Sequence, residues 1–184
     1  MKKIKKQLDN IIKNPLDGSE FLEYLNNPKI LTYSDLNKFN NIEDLLKNEK
    51  DYCIILYRQT PTSGHWISID RLYDTISYFD PYGKYIDEPL TWNTPILNKK
   101  LGQSIPLLSN LFDKTDLDVY YNNHKYQKLD DNINTCGRWC ILRILSAMRQ
   151  DMDLTDFYEM IKELTKYKEL TSDEIVSLLV NVNK

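Results

Sequence analysis

The sequence predicts an α+β fold, a small mixed β-sheet flanked by helices. Three observations carry that prediction. The run Tyr52-Cys53-Ile54-Ile55-Leu56-Tyr57 is continuous, apolar and of strand length, as a strand covered on both faces would be. Trp66 to Arg71 and Thr75 to Phe79 are strand-like and are separated by a tight turn at Leu72-Tyr73-Asp74. Gly137 to Gln150 is the clearest helix, apolar over most of its surface and therefore expected to be buried.

Residues 1–14 carry Ile4, Leu8, Ile11 and Ile12 at helical spacing, and Pro15 to Ser19 breaks the pattern. Ser19 is expected to cap a short helix from Glu20 to Asn26, which Asn27-Pro28 ends. Thr32-Tyr33-Ser34-Asp35 opens another helical start, and Asn41 or Asn40 can cap Ile42 to Lys47. The first fifty residues thus read as short helices. Pro81-Tyr82-Gly83 stops the third strand. Residues 84–116 read as loop, with a helical turn or two at Leu107 to Phe112. Val119-Tyr120-Tyr121 is a fourth strand candidate. An amphipathic stretch covers Leu154 to Leu164, and Ser172 is expected to cap Asp173 to Val180. No linker or repeat interrupts the chain. It reads as one domain over 1–184, with a helical N-terminal region (1–50), a core (51–150) and C-terminal helices (151–184).

Composition narrows the function. At 184 residues the chain can bury about 70% of its unfolded surface, enough for a core without disulfides. No apolar run approaches the roughly 20 residues that span a bilayer. The basic start, Lys2 to Lys6, is followed by Asp9, Asn10 and Lys13, so no secretory signal is read there. Three cysteines without a signal suit free thiols in a reducing compartment. The net charge of −3 gives no global attraction to nucleic acid.

Four residues then stand out. His65 opens the second strand and Asp80 closes the third. In an antiparallel pair the partner numbers have a constant sum, and 65 + 80 points to a turn centred between Leu72 and Tyr73. The two would then face each other. A turn on Tyr73-Asp74 makes them diagonal neighbours on the same face, whereas a slip of one in the sum would separate them. A carboxylate on one ring nitrogen fixes the tautomer and leaves the other nitrogen for a nucleophile. The nucleophile candidate is Cys136, in Thr135-Cys136-Gly137-Arg138-Trp139-Cys140, at the mouth of the apolar helix. There the helix dipole and free N–H groups favour a thiolate and offer an oxyanion site. Gly137 lets a substrate carbonyl approach the backbone. The Gln127 amide can donate to the same oxygen. Cys140 and Cys53 read as small buried apolar residues. A zinc site is disfavoured because the cysteines lack a C-x₂-C pair and His124 lies in a polar loop.

The order His, Asp, Gln, Cys-Gly, with Gly64-His65-Trp66, Phe79-Asp80-Pro81-Tyr82-Gly83, Tyr126-Gln127 and Cys136-Gly137, resembles the adenovirus-protease and Ulp group of cysteine peptidases (clan CE). Its versions in virophages, polinton-like elements and large DNA viruses look most alike. The resemblance covers roughly residues 52–149. It implies the adenain/Ulp-like fold, with the nucleophile heading a buried central helix. It implies His65 as general base, Asp80 as its orienting acid, Cys136 as nucleophile and Gln127 as oxyanion donor. Trp66, with Gly64 and Gly137, is expected to border the substrate. The gap from Gln127 to Cys136 exceeds the usual six or seven, so residues 128–134 must bulge. Thr135 stands where desumoylating relatives carry Asp, which favours the viral branch. The expected activity is endopeptidase cleavage of a viral capsid or scaffold protein during virion maturation. Removal of ubiquitin or SUMO and an inactive adaptor are the alternatives. No cofactor, membrane or required nucleic acid is expected, although some adenoviral relatives use a peptide and DNA. The expected state is a monomer, in the virion and the infected-cell virus factory.

Overall fold

The computed structural model describes residues 2–181, and for residues 2–5 the backbone alone. Ile4 and most of the basic Lys2–Lys6 cluster, as side chains, therefore lie outside the described residues. Helix α1 (Lys2–Lys13) leads into a 3₁₀ turn at Glu20–Glu23, strand β1 (Lys29–Thr32), a second 3₁₀ helix at Tyr33–Lys38 and the short α2 (Ile42–Leu45). Strands β2 (Tyr52–Arg58), β3 (Gly64–Leu72) and β4 (Thr75–Phe79) form the meander. A 3₁₀ turn at Glu88–Trp92, α3 (Pro95–Lys100), α4 (Leu107–Phe112) and β5 (Asp118–Tyr121) follow. Helices α5 (Cys136–Gln150), α6 (Leu154–Lys168) and α7 (Ser172–Leu179) complete the order.

The sheet runs β1-β2-β3-β4-β5, with β1–β2 and β4–β5 parallel and the central pairs antiparallel, so it is mixed. Strand β2 is buried on both faces by alternation. Ile54 and Leu56 join one core with Trp66, Phe79, Trp139, Ile141 and Ile144. Cys53, Ile55 and Tyr57 join the other with Ile67, Ile69, Tyr78, Leu108 and Leu111. Helix α5 therefore lies on one face of the sheet and α4 on the other.

The polar positions of β3 are buried as well. Asp70 and Arg143 of α5 are both fully buried and form a bidentate pair, Nε to Oδ1 at 3.0 Å and Nη2 to Oδ2 at 2.8 Å. The spare Arg143 hydrogens go to the Met152 and Asp153 carbonyls. This pair fixes the height of α5 on the sheet, because removing one partner would strand a buried charge.

Five local expectations are corrected. Strand β1 lies within the region read as all helical; Ile30 and Leu31 form too short a run to signal it, and their pairing to Ile54 and Ile55 is long-range. The Glu20 turn is capped by the Asp17 carboxylate, which accepts from the Ser19 and Glu20 N–H groups, not by Ser19. Thr171, one residue before Ser172, caps α7 in a reciprocal box with Glu174. The stretch read as loop holds the turn at Glu88–Trp92 and α3, opened by Pro89 and by Thr94-Pro95. The hairpin register is one step on from the first reading: Ser68 pairs with Phe79 and Leu72 with Thr75, so the turn residues are Tyr73 and Asp74. Tyr73 takes φ of 55° to close it.

Candidate active site

That register leaves His65 and Asp80 on one face as diagonal neighbours. Strand β4 ends at Phe79, and Asp80 continues its alternation with Tyr78 and Ile76. His65 Nε2 lies 3.0 Å from Asp80 Oδ1, with His65 3% exposed and Asp80 fully buried. The same Asp80 oxygen accepts the Tyr82 N–H at 2.7 Å. Asn122 holds the Asp80 backbone from both sides, accepting its N–H and donating to its carbonyl, each at 2.7 Å. Asp80 Oδ2 accepts no hydrogen bond among the described residues. An acid so enclosed favours a proton on its imidazole neighbour.

The electrostatics follow. Burial by itself would push the His65 pKa down; the charge and hydrogen bond of Asp80, then Cys136, hold it up at about 10. Tyr82 stacks on the imidazole at 4.8 Å and Trp92 tilts against it at 5.2 Å. Because Nε2 faces the acid, Nδ1 is left for the thiol. Cys136 lines the same cleft, close enough for its charge to act on the imidazole, and is half-buried.

Cys136 is the first residue of α5, and its N–H and those of Gly137 and Arg138 donate to no acceptor among the described residues. They are the orphan donors of a helix start. The neighbouring Thr135 is buried and donates to Asp173 Oδ1 at 2.6 Å. Asp173 Oδ2 accepts the Lys128 N–H at 3.0 Å, so one buried carboxylate in α7 grips both ends of the loop 128–135. From the other end of the chain, the Ile12 and Lys13 carbonyls accept from the Asn134 backbone and side-chain amides, and the Asn14 carbonyl accepts from Arg138.

Gln127 hangs beside Asp80, its N–H and that of Tyr126 both donating to Pro81 O at 2.9 Å. Its side chain is buried. Nε2 donates to Ile133 O at 2.8 Å and to Tyr82 Oη at 2.9 Å, so both amide hydrogens are committed within the protein. The sequence reading of a free donor is corrected to that extent. Gly64, His65, Tyr82, Trp92, Gln127 and Cys136 line one open cleft of about 850 Å³, bordered by the loop from Leu129 to Asn134.

Two of the three expected substrate contacts are elsewhere. Trp66 is 8% exposed; its indole N–H donates to Leu16 O at 3.3 Å and its ring meets Phe21 edge-on at 5.0 Å. Gly137 is buried against Leu16, Phe21 and Trp66. The segment after α1 covers both, because the β3 alternation turns Trp66 to the α5 face while His65 belongs to the other row. Gly64 does border the cleft. Its place is set by close approach, since a Cβ there would overlap the Tyr57 carbonyl. Cys53 and Cys140 are buried; burial pushes the Cys53 thiol up to about 12 and Cys140 well above its usual range. His124 is an exposed loop residue stacked on Tyr158 at 3.7 Å. The sequence reading missed Asp173, Asn122 and Tyr82. Tyr82 lay inside a quoted motif, whereas nothing near Asp173 signals a partner 38 residues away.

The molecule is thus an α+β protein whose cleft is lined by a cysteine and a histidine, with an aspartate buried against the histidine. The chain is 32% identical over 176 residues to the uncharacterized protein V9 of the Sputnik virophage, an alignment covering 95% of this chain and 98% of V9. It belongs to the V9 family. No protein-family model matches it. Among solved structures it is similar to the ASFV pS273R protease (15% identical, TM-score 0.44), aligning over 85% of this chain and spanning 61% of that one. It is also similar to the SUMO protease Ulp1 (13% identical, TM-score 0.36), over 94% of this chain and 75% of that one. These are likenesses of fold.

Proposed function

We propose that the protein is a cysteine peptidase that cleaves peptide bonds through an acyl-thioester. The observation that carries this reading is the His65 imidazole, buried between the Asp80 carboxylate at 3.0 Å and the Cys136 thiol. A proton retained on His65 through neutral pH is the partner a thiolate needs. In this reading the Cys136 sulfur attacks the substrate carbonyl carbon, and the oxygen takes the charge beside the α5 N–H groups. His65 gives its proton to the leaving amine as the carbon–nitrogen bond breaks. Water, giving its proton to His65, then cleaves the thioester, releasing the acid and restoring the thiolate beside the protonated imidazole.

The substrate we propose is a capsid or scaffold protein, cut during particle maturation in the infected cell. The virophage relative supports a viral setting, and the open cleft suits an extended chain. Wild type and Cys136→Ala, incubated with the major capsid protein of the same genome, test it by mapping new termini. The expected result is one or more Cys136-dependent termini. Capsid protein left intact while ubiquitin or SUMO conjugates are cleaved would replace this substrate with a modifier. If Cys136 meets no electrophile in the folded protein, the peptidase reading itself falls.

A further inference from the structure

The hydrogen bonds around Gln127 leave one proton over. A carbonyl can only accept, so the Ile133 carbonyl at 2.8 Å requires the amide nitrogen, not the amide oxygen, on its side. The second hydrogen on that nitrogen meets Tyr82 Oη at 2.9 Å, which makes the phenol the acceptor. A phenol that accepts still carries its own hydrogen, and the Tyr82 O–H donates to nothing among the described residues. Its ring is stacked on His65, and it lines the same cleft as Cys136. We propose that the Tyr82 hydroxyl, with the α5 backbone N–H groups, donates to the substrate oxygen that becomes negative, and that Gln127 is a positioning residue which orients that hydroxyl. The claim rests on the acyl-transfer reading above and corrects the role expected of Gln127.

The chemistry is simple in this form. No proton changes hands; the phenol O–H shortens its hydrogen bond to the carbonyl oxygen as that oxygen takes up charge. Burial first, then the charges of Cys136 and Asp80, hold the Tyr82 pKa well above its usual range. The hydroxyl therefore keeps its hydrogen at working pH. The amide at its back polarises it further, since a phenol that accepts a hydrogen bond is a better donor.

The test uses the full chain and two probes of the same thiol. p-Nitrophenyl acetate acylates Cys136 through an oxyanion, whereas iodoacetamide alkylates it without one. Tyr82→Phe keeps the ring on His65 and removes only the hydroxyl. It should lower the acylation rate about 10²-fold while alkylation stays within about twofold. Gln127→Met, which keeps the volume and loses both amide hydrogens, should retain more of the acylation rate than Tyr82→Phe does. If Tyr82→Phe does not fold, Gln127→Met decides alone: a loss near 10²-fold returns the donor role to Gln127, and a smaller one upholds Tyr82. Acylation by Tyr82→Phe at the wild-type rate, or an equal fall with both probes, overturns the proposal while leaving the peptidase reading intact. Wild type that is alkylated but never acylated at Cys136 sinks both.

Discussion

The two halves of the cleft are held in different ways. His65 and Asp80 sit at the rim of one hairpin, 15 residues apart, and their meeting follows from the two-residue turn at Tyr73-Asp74. Cys136 and Gln127 sit on a loop and a helix start that no local rule aligns. Their neighbours Lys128, Asn134, Thr135 and Arg138 are tied to both ends of the chain, to Ile12, Lys13 and Asn14 on one side and to Asp173 on the other. The imidazole half is thus a product of strand register. The thiol half depends on the whole molecule closing around it, so sequence changes far away should reach it first.

The sharpest break is chemical. Cys136→Ala should abolish cleavage while leaving the fold, and Cys140→Ser, which alters only a packed thiol, should retain it; mass mapping of alkylated peptides and a cleavage assay check both. A kill by Cys140→Ser with activity surviving Cys136→Ser would reverse the assignment. Next in size is the buried pair under the nucleophile helix. Arg143→Met leaves the buried Asp70 carboxyl without its cation, and should cost about 3–5 kcal/mol by urea denaturation. Removing both partners with apolar residues should cost less than removing one.

The tether to the C-terminal helix comes next. Asp173→Ala strands the Thr135 hydroxyl and the Lys128 N–H and should cost about 2–3 kcal/mol. Its particular signature is kinetic: Cys136 alkylation should slow more than in an equally destabilised variant placed in the α4 core. Equal slowing would mean that the loop needs no tether. The hairpin half predicts a pH effect instead. Its folded pKa of about 10 lies above the unfolded value of 6.5. The His65 contribution to stability should therefore be fully present below about pH 6.5 and be lost as pH rises through 10. Thermal melts of wild type and Asp80→Asn across that window should converge toward high pH. The smallest effect is expected at Gly137→Ala. The added methyl would lie 3.1 Å from Leu16 Cβ and 3.3 Å from Phe21, so the covering segment must shift, at about 1–2 kcal/mol.

The legibility of the molecule follows the same division. Apolar runs announced β2, and period-2 patterning announced β3 and β4, because each strand is longer than four residues and buried in its own right. The capping residues Thr32 and Asn41 marked their helices, since a cap is a contact within three residues. Strand β1 was hidden because four half-exposed residues form a strand only when β2 lies beside them. Trp66 was expected at the cleft because the resemblance implied that role for the tryptophan after His65. In a strand sequence neighbours point to opposite faces, and here the face of Trp66 is roofed by Leu16 and Phe21.

By itself the sequence determined the α+β class, the strand core and the buried helix behind Cys136, and it offered His65 and Asp80 as residues of one hairpin face. All of these follow from periodicities of two and 3.6 residues and from one turn. Tertiary structure alone decided which nitrogen of His65 faces the acid, what covers Trp66, where the hydrogens of Gln127 go and what holds the loop before Cys136. Those depend on pairings between residues tens of positions apart, such as Thr135 with Asp173 and Trp66 with Leu16. A hydrogen bond of that kind leaves no period in the chain that makes it.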